Sequence, residues 1–162
     1  MEAIDHLDLV VSRLARSLPF YRGLLGPLGY VRESDIVGER GERVVYLNRA
    51  GRPGSLGLRE SLSETSAAPY DRYAVGMHHV AFAAPSRVVV DERAKWASDH
   101  GATIESGPRE YDYTPGYYSA FSYDPDGIKL EIVHVPPDRD LVSRHEALSR
   151  RVADLEGKLR DR

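Results

Sequence analysis

His6 and His79 each stand at the head of an apolar stretch, His6-Leu-Asp-Leu-Val-Val and His79-Val-Ala-Phe-Ala-Ala, and Glu131 lies near the end of the second region. Two imidazoles and one carboxylate are the donor set of a first-row metal site that keeps coordination positions open. Fe2+, Mn2+, Ni2+ and Zn2+ all accept such nitrogen and oxygen donors, and no feature of the sequence selects among them. An ion held this way acts as a Lewis acid on the oxygens of a small substrate. A strand histidine met alone is more often structural. Two at equivalent points of a repeat, with a carboxylate two strands away, point instead to ligation.

The elements that must carry these residues come from an internal duplication. His6 and His79 are 73 residues apart, Gly29 and Gly101 are 72 apart, and Leu56-Gly-Leu matches Ile128-Lys-Leu at 72. A period near 70 is too long for a solenoid and suggests two copies of one supersecondary unit. Each copy reads strand, helix, three strands, over residues 3–60 and 77–136, with 61–76 as connector. Alternation from Ile4 to Val11 predicts a half-buried strand. Leu14, Leu18, Tyr21 and Leu25 recur at helical spacing, with Ser12 as a cap candidate and Pro19 as a break, Ser17 then starting a second helix. Strands are expected over 30–33, 43–48, 55–60, 102–105, 117–123 and 127–134. Ser86 is the cap candidate for the second helix, which ends at His100-Gly101. Asp124-Pro-Asp-Gly is strong turn chemistry. After Pro137, Leu141, His145, Leu148, Val152, Leu155 and Leu159 keep a 3-4 spacing over 138–162, an amphipathic helix that either packs on its own domain or forms a dimer seam.

Composition narrows the function classes. The chain has 162 residues, enough for one ordinary domain or two fused half-domains. Net charge is −3, with no long block of either sign, which argues against nucleic acid as the main partner. No apolar run approaches the length of a membrane span, and the N-terminus lacks a signal-peptide pattern. Cysteine is absent, so neither disulfide nor thiolate chemistry is available. The expectation is a cytoplasmic protein acting on a small molecule, without membrane or nucleic-acid partners.

The tandem units, the strand-borne histidines and Tyr117-Tyr-Ser-Ala-Phe…Asp124-Pro-Asp-Gly-Ile-Lys-Leu-Glu131 together resemble the vicinal oxygen chelate superfamily, over roughly residues 3–136. That superfamily includes glyoxalase I, extradiol dioxygenases, fosfomycin-resistance enzymes, methylmalonyl-CoA epimerase and bleomycin-binding proteins. The resemblance implies an α+β fold. In it, two βαβββ units form a curved, partly open mixed sheet with the metal in its concave face. His6, His79 and Glu131 fall on the family's ligand positions. It further implies a metal-dependent lyase or isomerase, with Glu131 as a ligand and Glu131 or Glu60 as the base. The alternatives are an extradiol dioxygenase, for which no additional acid-base histidine can be placed, and a metal-free drug- or metabolite-binding protein. The paired units also imply a homodimer.

A fourth corner is open between two neighbours. Moving back from Glu131 by the repeat length gives Leu58 or Arg59, with Glu60 one residue on, and a one-residue slip reverses the face of a strand side chain. Glu60 inward would make a two-histidine, two-glutamate site like that of bacterial glyoxalase I. Arg59 inward would leave three donors and put a cation beside an anionic substrate, and this is the reading favoured. Five of the ten tyrosines crowd residues 111–123. Among them Tyr118 is expected in the cavity as a proton donor and Tyr113 as a substrate contact, with Arg109 and Lys129 as further pocket cations. Alternation turns His78 and His134 away from the site, and His100 suits a helix C-terminus.

If the tail forms an intermolecular seam, removing the residues after Pro137 shifts the dimer towards monomer at low concentration. Light scattering on a dilution series checks this; an unchanged dimer assigns the tail to packing on its own domain.

Overall fold

The computed structural model describes residues 4–63 and 70–137; the expected tail helix lies outside these residues. The chain order is β1 (His6–Val11), α1 (Leu14–Leu25), β2 (Tyr30–Val37), β3 (Arg43–Arg49), β4 (Ser55–Glu60), β5 (Val80–Ala83), α2 (Arg87–Asp99), β6 (Thr103–Glu110), β7 (Tyr118–Tyr123) and β8 (Lys129–His134). Two βαβββ units are therefore present, as the duplication predicts. Each forms a four-stranded mixed sheet, β1-β4-β3-β2 and β5-β8-β7-β6, in which the first strand runs parallel to the last and the other pairs are antiparallel. No helix among the described residues is long and apolar enough to cross a membrane.

Alternation along the strands divides each sheet into two faces. Leu9, Val11, Val45, Leu47, Leu56 and Leu58 of the first sheet, and Phe82, Ala120, Leu130 and Ile132 of the second, join α1 and α2 in one core. The residues between them point away from the helices, and this open face carries the chemistry. α1 runs unbroken through Pro19. The seven side chains it buries, among them Tyr21, Leu24 and Leu25 at 0% exposure, hold it where a lone proline would break it. Ser12 does not cap it. The first turn is served from elsewhere, with Leu14 N–H donating to Glu60 Oε1 at 3.3 Å. Ser86 does cap α2, accepting from Val89 N–H at 3.3 Å.

The two units are tied through the Asp124-Pro-Asp-Gly turn. Asp124 Oδ1 accepts the N–H groups of Asp126 and Ile128, each at 2.8 Å, which closes the turn. Its other oxygen accepts Tyr21 O–H of α1 at 2.8 Å. Asp126 reaches the same helix, accepting from Ser12 N–H and Ser17 Oγ–H at 3.1 Å and pairing with Arg16. Gly23 lets the helices meet: a Cβ there would come within 2.0 Å of the Trp96 ring, and its carbonyl accepts from Arg93 at 3.0 Å.

Tyr21→Phe leaves the buried Asp124 Oδ2 without its donor. The expected cost is about 1–2 kcal/mol in chemical denaturation. An unchanged midpoint would show that the turn does not depend on this bond.

Candidate functional site

Glu131 is the centre of the open face of the second sheet. It pairs with Ala81 on β5 and Phe121 on β7, so its side chain shares their side, and it is only 2% exposed. Burial removes the carboxylate from water, and it must find partners in the protein. Oε1 accepts Tyr117 O–H at 2.7 Å, and Oε2 lies 3.2 Å from His79 Nε2. The other ring nitrogen of His79 is 2.8 Å from His78 Nδ1. A chain of four groups thus runs from Tyr117 through Glu131 and His79 to His78. Desolvation, then the hydrogen bond to Glu131, hold the Tyr117 phenol well above its ordinary pKa. Desolvation, then the neighbouring His79, pull the His78 imidazole below its own.

An aromatic wall leads to this chain. Tyr113, 69% exposed, stacks on Tyr111 at 5.5 Å and meets Tyr117 edge-on at 5.2 Å. Tyr111 meets Phe121 at 5.4 Å, and Phe121 meets His79 at 6.1 Å. Beside it lies an ion cluster. Lys129 Nζ is 2.5 Å from Glu105 Oε1 and 4.4 Å above the Phe121 ring. Arg72 from the connector donates to Glu105 Oε2 and to Tyr123 Oη, both at 2.7 Å, and Tyr123 O–H donates to Glu105. Desolvation opposes ionisation of Glu105, yet the Lys129, Tyr123 and Arg72 hydrogen bonds outweigh it and bring its pKa down to about 2.

On the first sheet, His6 is exposed at the start of β1, its Nδ1 3.0 Å from Asp5 Oδ1 and its ring 6.0 Å from that of Tyr46. Arg59 shares the open face, donating to Asp8 Oδ2 at 2.6 Å and Glu42 Oε1 at 2.5 Å.

Several sequence expectations are corrected. His6 does not converge with His79 and Glu131 within one chain. β1 and β5 belong to separate sheets, and among the described residues no three His, Asp or Glu side chains gather into a metal cluster. Tyr118 is on the helix side, donating to Asp91 Oδ1 of α2 at 2.8 Å; alternation from Phe121 brings Tyr117, not Tyr118, to Glu131. Glu60 also faces the helices and serves α1, while Arg59 faces inward as favoured but is occupied by three carboxylates, Asp8, Glu42 and Glu39. Neither is the counterpart of Glu131. That carboxylate faces the residue two beyond His79, and the residue that faces the one two beyond His6 is Gly57, 74 residues before Glu131. His78 is not turned away: the ladder of β5 begins at Val80, so alternation does not govern the pair, and the two rings touch. His134 and His100 behave as expected, His100 capping α2 with its ring stacked on Trp96.

The donor chemistry thus fits one half of a divalent-ion site, a buried carboxylate oxygen beside the nitrogen of an imidazole that is 34% exposed.

A family model for the glyoxalase/bleomycin resistance protein/dioxygenase superfamily matches residues 3–132. The chain belongs to that superfamily. A curated Bacillus subtilis (strain 168) protein, uncharacterised YqjT, is 29% identical over 135 residues, 80% of this chain and 97% of that protein. Among solved structures, the glyoxylase/bleomycin resistance protein/dioxygenase domain from Frankia sp. EAN1pec is 22% identical, with a TM-score of 0.66, covering 83% of this chain and 98% of its own. Lactoylglutathione lyase from Agrobacterium tumefaciens is 24% identical, with a TM-score of 0.54, covering 83% and 94%. These two likenesses show the shared fold.

The Glu105 cluster gives a pH prediction. Its folded pKa lies below the ordinary value of 4.5, so its contribution to stability is present above that value and is lost as pH falls towards 2. The stability difference between wild type and Glu105→Gln should be flat above pH 5 and shrink below 4.5, read by urea denaturation across pH. A constant difference down to pH 2.5 would contradict the assignment.

Proposed function

We propose that this protein is a cytoplasmic, homodimeric, metal-dependent enzyme, a lyase or isomerase acting on a small substrate with neighbouring oxygens. The observation that carries the reading is the pairing of His79 Nε2 with the buried Glu131 carboxylate. One copy supplies its histidine-bearing strands on two separate sheets, so the third donor, His6, is assigned to a second copy, which completes the site across the dimer. The fold shared with a lactoylglutathione lyase favours this reaction class. A divalent ion, Fe2+, Mn2+, Ni2+ or Zn2+, would supply Lewis acidity to the substrate oxygens.

The chain's own residues do the rest. Tyr117 holds Glu131 Oε1, and Oε2, beside His79 Nε2 at 3.2 Å, is the oxygen that would bind or take a proton. His78 fixes the ring of His79 through the nitrogen that faces away from Glu131, the arrangement by which an outer partner orients a ligand histidine. Tyr111, Tyr113 and Phe121 offer an apolar wall to the carbon part of the substrate and keep water from the carboxylate. The same wall supports a second reading, a metal-free binding protein for an aromatic drug or metabolite, because Tyr113 presents its ring to solvent.

Elemental analysis of purified protein separates the two. The expected result is one divalent ion per chain, lost in His79→Ala and Glu131→Ala and partly retained in Glu131→Gln. A metal-free protein that binds an aromatic ligand would overturn the enzyme reading, and a monomer at working concentration would overturn the shared site.

A further inference from the structure

The registers of the two sheets allow a residue-by-residue superposition of the open faces. In the second unit, one row across the sheet reads Ala81, Glu131, Phe121, Ser106. The equivalent row of the first unit, two residues beyond its histidine, reads Asp8, Gly57, Tyr46, Ser34. Each row holds one carboxylate and one small residue on the same pair of strands, but the two are exchanged. Where the second unit has a small residue on the first strand and an acid on the last, the first unit has the acid on the first strand and glycine on the last.

The surroundings match as well. Glu131 accepts a tyrosine hydroxyl, Tyr117 at 2.7 Å; Asp8 Oδ2 accepts another, Tyr46 at 3.2 Å. Phe121, in the row of Glu131, meets His79 edge-on at 6.1 Å; Tyr46, in the same place of the first unit, meets His6 edge-on at 6.0 Å. Gly57 is what allows the exchange. A Cβ there would come within 2.2 Å of Asp8 Oδ1, so the carboxylate fills the space that a side chain on β4 would take. Asp8 Oδ1 has no hydrogen-bond partner.

We infer that Asp8 is the first unit's counterpart of Glu131, and that His6 and Asp8 form the other two-donor half of the divalent-ion site proposed above. This rests on that reading and extends its donor set to two histidines and two carboxylates. His6 and Asp8 are two residues apart on one strand and so share a face. Arg59 now occupies Asp8 Oδ2, but Glu42, its side chain 8% exposed, grips the same guanidinium at 2.5 Å. Asp8 can therefore turn to an ion without leaving Arg59 unpaired. Three carboxylates, Asp8, Glu42 and, at 3.6 Å, Glu39, share one guanidinium here, and the surplus negative charge favours a cation beside His6.

Cobalt titration followed by visible absorption tests the assignment, with circular dichroism as the check on folding. Wild type should show saturable Co2+ binding that His79→Ala removes. Asp8→Asn and Asp8→Ala should each weaken it by about tenfold or more and alter the ligand-field bands. The double variant Asp8→Ala/Gly57→Glu rebuilds the first unit on the pattern of the second and should recover most of the affinity. Glu60→Gln should match wild type. Folded Asp8 variants with wild-type affinity and spectrum overturn this inference while leaving the metal reading intact. If Asp8→Asn does not fold, Asp8→Ala and the double variant decide: equal affinity in the two overturns it. A wild-type protein that takes up no Co2+ overturns both.

Discussion

A carboxylate at 2% exposure in the face of a sheet is the constraint on which the open side of the second unit depends. Glu131 is desolvated by β5 and β7 on either side, and an unpartnered carboxylate there would cost several kcal/mol. Tyr117 meets one oxygen and His79 the other, which obliges the β6–β7 hairpin to end over this face and β5 to enter beside it. The hairpin brings Tyr111 and Tyr113 with it. The aromatic wall and the histidine pair are thus consequences of one buried charge.

A second buried carboxylate, that of Asp124, does the corresponding work for the assembly of the units. Asp124 closes its own turn with one oxygen and takes Tyr21 of the first helix with the other. Its burial raises its pKa, although those three hydrogen bonds pull the other way. The turn motif that marks the second unit is therefore also its attachment to the first. The open faces consequently lie on the opposite side of the sheets from the packed helices, with their edge strands β1 and β5 unpaired to each other.

Much of this was legible along the chain. The duplication, the order of elements, the cap at Ser86, the turn at Asp124 and the family followed from spacing and residue type, because each is a local pattern. Glu131 could be singled out for the same reason, and the placing of His134 on the face of Tyr118, opposite to Glu131, followed from counting three residues. The count failed where strand ends mattered. Tyr118 and Tyr117 differ by one position, and only the pairing of Phe121 with Glu131 shows which of them faces the carboxylate. A repeat offset of 72 or 73 led to Arg59 or Leu58, with Glu60 one residue on; the ladders set it at 74, on Gly57, because strand register and not residue likeness defines equivalence.

By itself, then, the sequence determined two βαβββ units, the superfamily and the residue types able to hold an ion, since hydrophobic period and turn chemistry act over a few residues. Tertiary structure alone decided which of those residues meet. Whether an acid lies on the first or last strand of a unit, and whether its neighbour is glycine, depends on cross-strand partners about 50 residues away. That His6, His79 and Glu131 form no cluster among the described residues has the same origin: equivalent places in a repeat lie on equivalent edges, and β1 and β5 do not pair.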